Sequence, residues 1–549
     1  MPVDDVPGGR APDGEVGRAP DGEVRTFSAL VRRAARTAGS SPALVCGERR
    51  LTWSEVDALV DRSAAGYAAR GLAAGDRVAV QLPNGVDWVV AVMGALRAGL
   101  VVVPVNTAFT DPEVEHLLTD SGARLLVVAA VRPELAGVPV AVGPPAADGP
   151  APADPDDPAA LALLAYTSGT TGRPRGAMLT HGALLANQRQ LLALDPPPVR
   201  AGDRVLLVLP LFHVYGLNSG WGLVAATAAC AVVVEEFDPA ATLALMAAEE
   251  VSAVPGAPPM YAAWLAVADA AGSDAVLRRG FAAVRTASCG AAPMPGALFE
   301  AMRTRAAVTV WEGYGLTEAA PVLASTLATG RAKPECIGGP LPGIELVLQD
   351  TAGGPTAGPD PGSRVRADVF GDPFADEDGD GEEEAGEIRV RGANLFSGYW
   401  PDGADGPDAE GWLLTGDIAY RDAAGDLKLV DRRRDLVLVS GFNVYPGEVE
   451  RVLAEHPGIA ESAVIGVPDQ RTGEAVHAVV VRAPGAEVTE AELREHAGRS
   501  LARFKVPVAV HFVPELPHSL AGKVSRARLR ELGLERAAAA ATGTEDAGA

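Results

Sequence analysis

Leu161–His181 reads LALLAYTSGTTGRPRGAMLTH. An apolar run of strand length enters Thr167, Ser168, Gly169, Thr170, Thr171 and Gly172, and a third glycine, Gly176, precedes a stretch read as an amphipathic helix. Glycine lets main-chain N–H groups approach an anion closely, and hydroxyls add donors with little bulk. Three glycines alone would read as a polar connection between strand and helix. The whole string Tyr166–Gly176 reads as a cradle for polyphosphate, and the absence of Gly-Lys-Ser/Thr excludes a Walker A loop.

Outward from this loop, apolar runs of strand length alternate with helical patterns. Strands are expected at Arg77–Gln81, Leu100–Pro104, Leu125–Ala129 and Val205–Leu209, with amphipathic helices at Ser54–Ala69 and Asp87–Arg97. Such alternation predicts an α/β fold with mainly parallel sheets. After Asp431 the pattern becomes compact α+β. Pro446 stands at a first helical turn, and Thr489 with Glu492 forms a capping-box signature for a helix running to about Ala502. Short strands are expected at Ala463–Val467, Val476–Val481 and Val508–Val513.

The organisation predicted is a segment 1–25 holding the tandem octapeptide GRAPDGEV and expected to be disordered, a main domain 26–430, a second domain 431–534 and a tail 535–549. Ala141–Pro158 reads as a Pro/Ala/Asp loop. Inside the main domain, 351–385 reads as an acidic loop insertion; Thr351–Glu387 carries eleven acids and two arginines.

Overall, 71 acidic against 47 basic residues give a net charge of −24, which argues against a nucleic-acid or acidic-membrane binder. The four cysteines lack metal or disulfide spacing, which points to a reducing cytoplasm. No basic start precedes an apolar core, and the longest apolar run, Trp221–Val234, falls short of the ~20 residues of a membrane helix, so no secretory signal or transmembrane segment is expected. Only four of the 47 basic residues are lysine: Lys333, Lys428, Lys505 and Lys523. Oligomeric state has no sequence signal.

Tyr166–Gly176 resembles the signature of the adenylate-forming superfamily, which comprises acyl-CoA synthetases, luciferases and peptide-synthetase adenylation domains. The superfamily's other motifs follow in order: Leu209–Gly216 (LPLFHVYG), Gly290–Met294 (GAAPM), Glu312–Glu318 (EGYGLTE), Gly386–Gly392 (GEIRVRG), Trp412–Asp417 (WLLTGD), Asp431–Pro446 (DRRRDLVLVSGFNVYP) and Gly522–Lys523. The resemblance spans 26–530 and is strongest to the fatty acyl-CoA synthetase branch.

It implies a large AMP-binding domain, 26–430, and a small mobile C-terminal lid domain, 431–534. It also implies an ATP-dependent carboxylate–CoA ligase: a carboxylic acid attacks the α-phosphorus of ATP to give acyl-adenylate and pyrophosphate, then coenzyme A displaces AMP. By resemblance, Thr167, Ser168, Gly169, Thr170, Thr171 and Gly172 hold the phosphates, with Arg175 at the loop's usual lysine position. Thr317 touches phosphate, and Glu318 with Thr167 holds Mg²⁺, a hard cation that prefers oxygen. Glu312, Tyr314 and Gly315 belong to the nucleotide site, Tyr314 against adenine with Gly290, Ala291 and Ala292 as a backbone wall. Asp417 accepts from the ribose hydroxyls and Arg432 donates to them.

Lys523 bridges carboxylate and α-phosphate, although His518 and Leu520 replace the usual Arg and Pro beside it. Arg434 falls at the hinge, Ser440 and Gly441 on the pantetheine path, and His213 at the mouth of the acyl tunnel; a packed histidine in an apolar run is the alternative for His213. The acid's pocket is expected from Trp221–Val234, Pro255–Trp264 and the segments around Gly290 and Gly315.

Asp376–Glu387 matches the EF-hand spacing, but Glu383 stands where an apolar residue belongs and no helices flank it. Two rival functions stay open: an acyl-AMP ligase that loads a carrier protein, and a non-catalytic nucleotide-binding scaffold. Retention of Lys523 and Glu318 argues against the second.

Overall fold

A computed structural model describes residues 24–168, 174–349, 385–422, 425–432, 437–440, 442–444, 446–469, 471–516 and 529. Gly169, Thr170, Thr171, Gly172, Arg434, Gly441 and Lys523 lie outside the described residues, as do the octapeptide repeats, residues 351–384 and the tail.

Two mixed sheets form the body. The first has nine strands in the order Gly339–Pro340, Val322–Ser325, Val310–Gly315, Thr286–Cys289, Ala253–Gly256, Arg204–Leu207, Cys230–Val233, Pro42–Cys46 and Arg49–Thr52. Its six central strands are parallel, and only the edge strands run antiparallel. The second has six strands, Val140–Val142, Leu125–Val128, Arg77–Gln81, Val101–Pro104, Leu161–Ser168 and Pro174–Thr180, parallel except for the last. The strands and helices expected at Arg77–Gln81, Leu100–Pro104, Leu125–Ala129, Val205–Leu209, Ser54–Ala69 and Asp87–Arg97 are present within two residues of their predicted ends. In the C-terminal unit, by contrast, the strands expected at Ala463–Val467 and Val476–Val481 extend to Ile459–Asp469 and Gly473–Arg482.

A third sheet departs from the expectation of mainly parallel pairing. Glu345–Gln349, Ala385–Arg391, Trp412–Arg421 and Leu427–Arg432 are antiparallel throughout. It joins the two mixed sheets in one apolar core, to which Phe27, Trp88, Val205, Tyr314, Ile388 and Leu427 all contribute.

A second difference concerns the glycine loop. It connects two antiparallel strands rather than a strand and a helix, with Leu163 opposite Leu179 and Thr167 opposite Arg175. Pro174–Thr180 is a strand because its side chains alternate between two cores: Ala177 and Leu179 enter one, Met178 the other. The helix His181–Leu192 starts only after Thr180, whose hydroxyl accepts from the Ala183 N–H at 3.1 Å. The apolar run Trp221–Val234 is likewise divided. Its first two residues end a π-helix, Tyr215–Gly222, which passes into the helix Leu223–Thr227 and then the strand Cys230–Val233.

The C-terminal unit has its own five-stranded sheet. Phe442–Val444, Val437–Val439, Gly473–Arg482 and Ile459–Asp469 are ordered across it, with Ala509–Phe512 pairing parallel to Gly473–Arg482. Helices Pro446–Ala454 and Glu490–Gly498 cover a core of Val437, Val449, Leu453, Val464, Ala478 and Leu493. The capping box of Thr489 and Glu492 is formed as expected, and the helix stops at Gly498, before Ala502. Among the described residues no helix is long and apolar enough to cross a membrane, and all four cysteines are free.

Candidate active site

A cavity of about 740 Å³ opens where the strand ends of the two mixed sheets meet the third sheet. Thr167 and Arg175 reach it from the second sheet as register partners across the glycine loop. Tyr314 and Gly315 reach it from the end of Val310–Gly315, and Thr317 and Glu318 from the 3₁₀ turn that follows. That turn is tight: Leu316 N–H bonds to Pro321 O at 2.9 Å, and a Cβ on Gly315 would lie 2.0 Å from the same oxygen. Only glycine fits there.

Asp417 enters from the third sheet, buried at 4% exposure, and its Oδ2 accepts from the Tyr314 hydroxyl at 2.7 Å. Arg432 is the register partner of Asp417 on the neighbouring strand. Gly290 and Ala291 line the opposite wall. The Tyr215 ring packs so closely on Gly290 that an added Cβ would meet it at 2.9 Å, and Ala291 adopts a left-handed φ of 68°.

Glu318 is held from both ends. Its main-chain oxygen accepts from Phe396 N–H at 2.8 Å, and the Tyr399 hydroxyl donates to its carboxylate. The Arg175 guanidinium stacks 3.9 Å from the Tyr399 ring centroid and donates to Asp405 Oδ2 at 2.6 Å. Tyr399 and Asp405 thus belong to the site although sequence reasoning missed them. The available signal was the aromatic pair Tyr399-Trp400 between Gly398 and Pro401, bulky rings in an otherwise turn-forming segment.

His213 lines the same cavity. Its Nδ1 accepts from Tyr215 N–H at 3.2 Å, which leaves the proton of the neutral ring on Nε2. Burial lowers its pKa below the usual histidine value, so the ring is uncharged at neutral pH. Beyond it the cavity becomes apolar, between Leu191, Val199, Leu223, Val254 and Pro255, with Ser219, Thr286 and Ser288 as its hydroxyls. The expected Trp221–Val234 lining reduces to Leu223. Trp221 is wholly buried and stacks against Trp53 at 5.7 Å, while Trp264 belongs to a separate core.

Among the predicted site residues whose side chains are described, Ala292, Ser440 and Glu312 do not line the cavity. Ser440 is exposed, with φ 51° and its N–H on Thr472 O at 2.7 Å. Glu312 turns into the protein, accepting from Met294 N–H at 3.1 Å and Glu335 N–H at 2.8 Å. Burial pushes its carboxyl up to about 7. Its contribution is to fix the segment that follows Gly290–Ala292. Ser168 ends its strand at the loop, and the five loop residues beyond it are outside the described set.

For a divalent cation, the donors at hand are the Glu318 carboxylate and the Thr167 and Thr317 hydroxyls, all oxygen, which fits Mg²⁺. Among the described residues no group of three or more His, Cys, Asp or Glu could hold a metal ion.

Residues 30–400 match the family of AMP-binding enzymes, and residues 448–523 match the AMP-binding enzyme C-terminal domain. The chain is 34% identical over 545 residues to the 3-[(3aS,4S,7aS)-7a-methyl-1,5-dioxo-octahydro-1H-inden-4-yl]propanoyl:CoA ligase of Mycobacterium tuberculosis, covering 93% of this chain and 99% of that protein. Among solved structures it resembles the o-succinylbenzoate CoA synthetase of Bacillus subtilis bound with its product analogue OSB-NCoA, with TM-score 0.78 and 27% identity over 91% of this chain and 98% of that one. It also resembles ATP-bound MatB of Rhodopseudomonas palustris, with TM-score 0.63 and 30% identity over 92% and 98% of the two chains. The chain belongs to the adenylate-forming AMP-binding enzyme family and is an AMP-forming, ATP-dependent carboxylate–CoA ligase.

Proposed function

We propose that the cavity is the single site of both half-reactions and that its acid is an apolar one, alkyl or ring-bearing. The observation that carries this reading is the continuity of one cavity from Thr167, Arg175 and Glu318, through Tyr314 and Asp417, to the apolar end at Leu191 and Leu223. Polar groups for ATP and an apolar sleeve for the acid meet at His213.

In the first half-reaction Asp417 accepts from the ribose hydroxyls, and Tyr314 presents its ring to adenine across from Gly290 and Ala291. Main-chain N–H groups of the glycine loop and the Thr167 and Thr317 hydroxyls donate to phosphate oxygens. Arg175 supplies a fixed cation, already aligned by Tyr399 and Asp405. Glu318, with Thr167, would hold Mg²⁺, which when bound neutralises phosphate charge. The acid's carboxylate oxygen attacks the α-phosphorus and pyrophosphate leaves, a step in which positioning counts for most of the rate. Lys523 stabilises the charge that develops there. The neutral His213 separates carboxylate from sleeve without adding a competing charge.

In the second half-reaction the coenzyme A thiol attacks the acyl carbonyl and AMP departs, with Ser440 and Gly441 along the thiol's path. Arg432 supports the ribose from the strand beside Asp417, and Arg434 follows as the hinge. The proposed division into 26–430 and 431–534 is supported by the two family matches and by the separate cores. Free cysteines support a reducing cytoplasm.

The decisive experiment is ATP–pyrophosphate exchange over a panel of alkyl, aryl and charged acids, followed by thioester assays with coenzyme A and with a phosphopantetheinylated carrier protein. Exchange confined to apolar acids, with thioester on coenzyme A, is expected. Exchange only with charged acids, or thioester only on the carrier, would overturn the reading.

A further inference from the structure

Lys505 is one of four lysines in the chain and has no part in the site described above. It is 3% exposed, and its Nζ lies 2.9 Å from Glu113 Oε1 and 2.9 Å from Glu448 Oε1. The two carboxylates come from opposite sides of a boundary. Glu113 belongs to the helix Asp111–Ser121 of the body, and Glu448 to the helix Pro446–Ala454 of the C-terminal unit that also carries Lys505. The ring of Phe109, again from the body, has its centroid 4.5 Å from the ammonium. A cation of the C-terminal unit is therefore enclosed by a carboxylate and an aromatic ring of the body.

Both carboxylates stand in the first turn of their helices, where the helix dipole favours negative charge. Glu113 is fixed further by its capping box, with Thr110 N–H and hydroxyl both donating to Oε2 at 2.9 Å, which leaves Oε1 for the lysine. The contact is preorganised on the body side. It is also incomplete on the other side, because Glu448 Oε2 is buried without a hydrogen-bond partner. A buried ion pair with an unsatisfied oxygen adds little net affinity, and its main effect is to select one orientation. Separation would let water reach all three groups while Lys505 keeps Glu448.

The whole-chain likenesses bear on which half-reaction that orientation serves. The chain matches the OSB-NCoA-bound synthetase with TM-score 0.78 over 91% of its length, and ATP-bound MatB with 0.63 over 92% at slightly higher identity. That is a difference between the two comparisons in how well the whole chain fits.

We propose that Lys505 is a positioning residue, a releasable latch that docks the C-terminal unit on Glu113 for the thioester half-reaction. The proposal rests on the ligase reading, and its test has an arm that is independent of turnover. In the full chain with Cys46→Ser, fluorophores on Glu134→Cys and Glu495→Cys report the distance between body and C-terminal unit. Lys505→Met and Glu113→Gln should broaden that distance distribution, and Lys505→Arg should restore it in part. Glu113→Gln is the cleaner variant, because it leaves the capping acceptor and the Lys505–Glu448 pair in place.

With octanoyl-adenylate and coenzyme A supplied, thioester formation should fall about tenfold in both variants, and the double variant should be no worse than either single one. ATP–pyrophosphate exchange with octanoate should stay within about twofold. An unchanged distance distribution, or an equal fall in both half-reactions, would overturn the latch. Absence of any exchange in the parent chain would count against octanoate as a substrate, while the distance measurement would still decide on Lys505.

Discussion

Tyr314 and Asp417 are 103 residues apart in sequence, and their 2.7 Å hydrogen bond ties the first mixed sheet to the third. Tyr314→Phe keeps the ring that faces the cavity and removes the hydroxyl that orients Asp417. We expect KM for ATP to rise roughly tenfold, equivalent to about 1.4 kcal/mol, with kcat little changed, as steady-state kinetics would show. A comparable fall in kcat would mean that the hydroxyl acts in the chemistry. Glu312 yields a prediction of another kind. Its carboxyl holds its proton up to about 7 in the folded chain against a usual value of 4.5, so the folded state binds more protons between those pH values. Stability from this group is therefore fully present below pH 4.5 and lost as pH rises through 7, by on the order of 3 kcal/mol. Glu312→Gln removes the ionisation but offers one acceptor to the two N–H donors, so it costs stability at every pH. Its urea midpoint should change less between pH 5 and pH 8 than that of the parent, and parallel changes in the two proteins would refute the assignment. Asp417, Glu318 and Arg175 were legible in the sequence because motif order placed them. Tyr399 and Asp405 were not, since their partners lie 81 and 230 positions away and no local pattern encodes such a contact.

The same contrast holds for the secondary structure. Thr489–Glu492 caps its helix as expected, and boxes at Thr52–Glu55 and Thr110–Glu113 open helices in the same way. Thr309–Glu312 has the same spacing and runs into the strand Val310–Gly315, so the box is readable only where a helical pattern follows. Pro174–Thr180 was misread because Pro-Arg-Gly suggests a turn and the three apolar residues that follow suit either a strand or a helix. Only the two cores on opposite sides of Ala177 and Met178 decide it. The third sheet was hidden for a related reason: its first two strands are separated by residues 350–384, so their pairing is a long-range fact. Among the glycines, Gly315 ties local geometry to activity most directly. The methyl of Gly315→Ala would press on the Pro321 carbonyl, a rigid backbone atom, and displace the turn that carries Thr317 and Glu318. Exchange activity should fall by at least about a hundredfold, since a displacement near 1 Å at a positioning element has that effect. Gly290→Ala meets only the Tyr215 ring, which can shift, so its loss should be nearer tenfold. Equal losses in the two variants would show that backbone and side-chain obstruction are not being distinguished here.

The distribution of apolar cores sets how the molecule as a whole comes apart. One cluster runs from Phe27 to Leu427 and joins all three sheets of the body, so no sheet can leave without exposing the interior of the others. The C-terminal unit is built differently. Its clusters are confined to residues from Val437 onward, and among the described residues no hydrophobic cluster spans both units. The described contacts between them include the Lys505–Glu113 ion pair and the Phe109 ring against the same ammonium. Interfaces of that kind transmit little cooperativity, because separation costs few apolar contacts and water replaces the ion pair. We therefore expect two unfolding transitions. In hydrogen exchange under rising urea, amides of Val464, Ala478 and Val480 should lose protection together, before and independently of those of Val89, Leu163 and Val205. Glu113→Gln should leave the second transition in place, because nothing in the body's core depends on it. It should lower the first only slightly, since the C-terminal unit keeps its own Lys505–Glu448 pair when it separates. A single transition common to both groups of amides would show that the boundary is mechanically continuous, and would require apolar contacts across it that the cores do not contain.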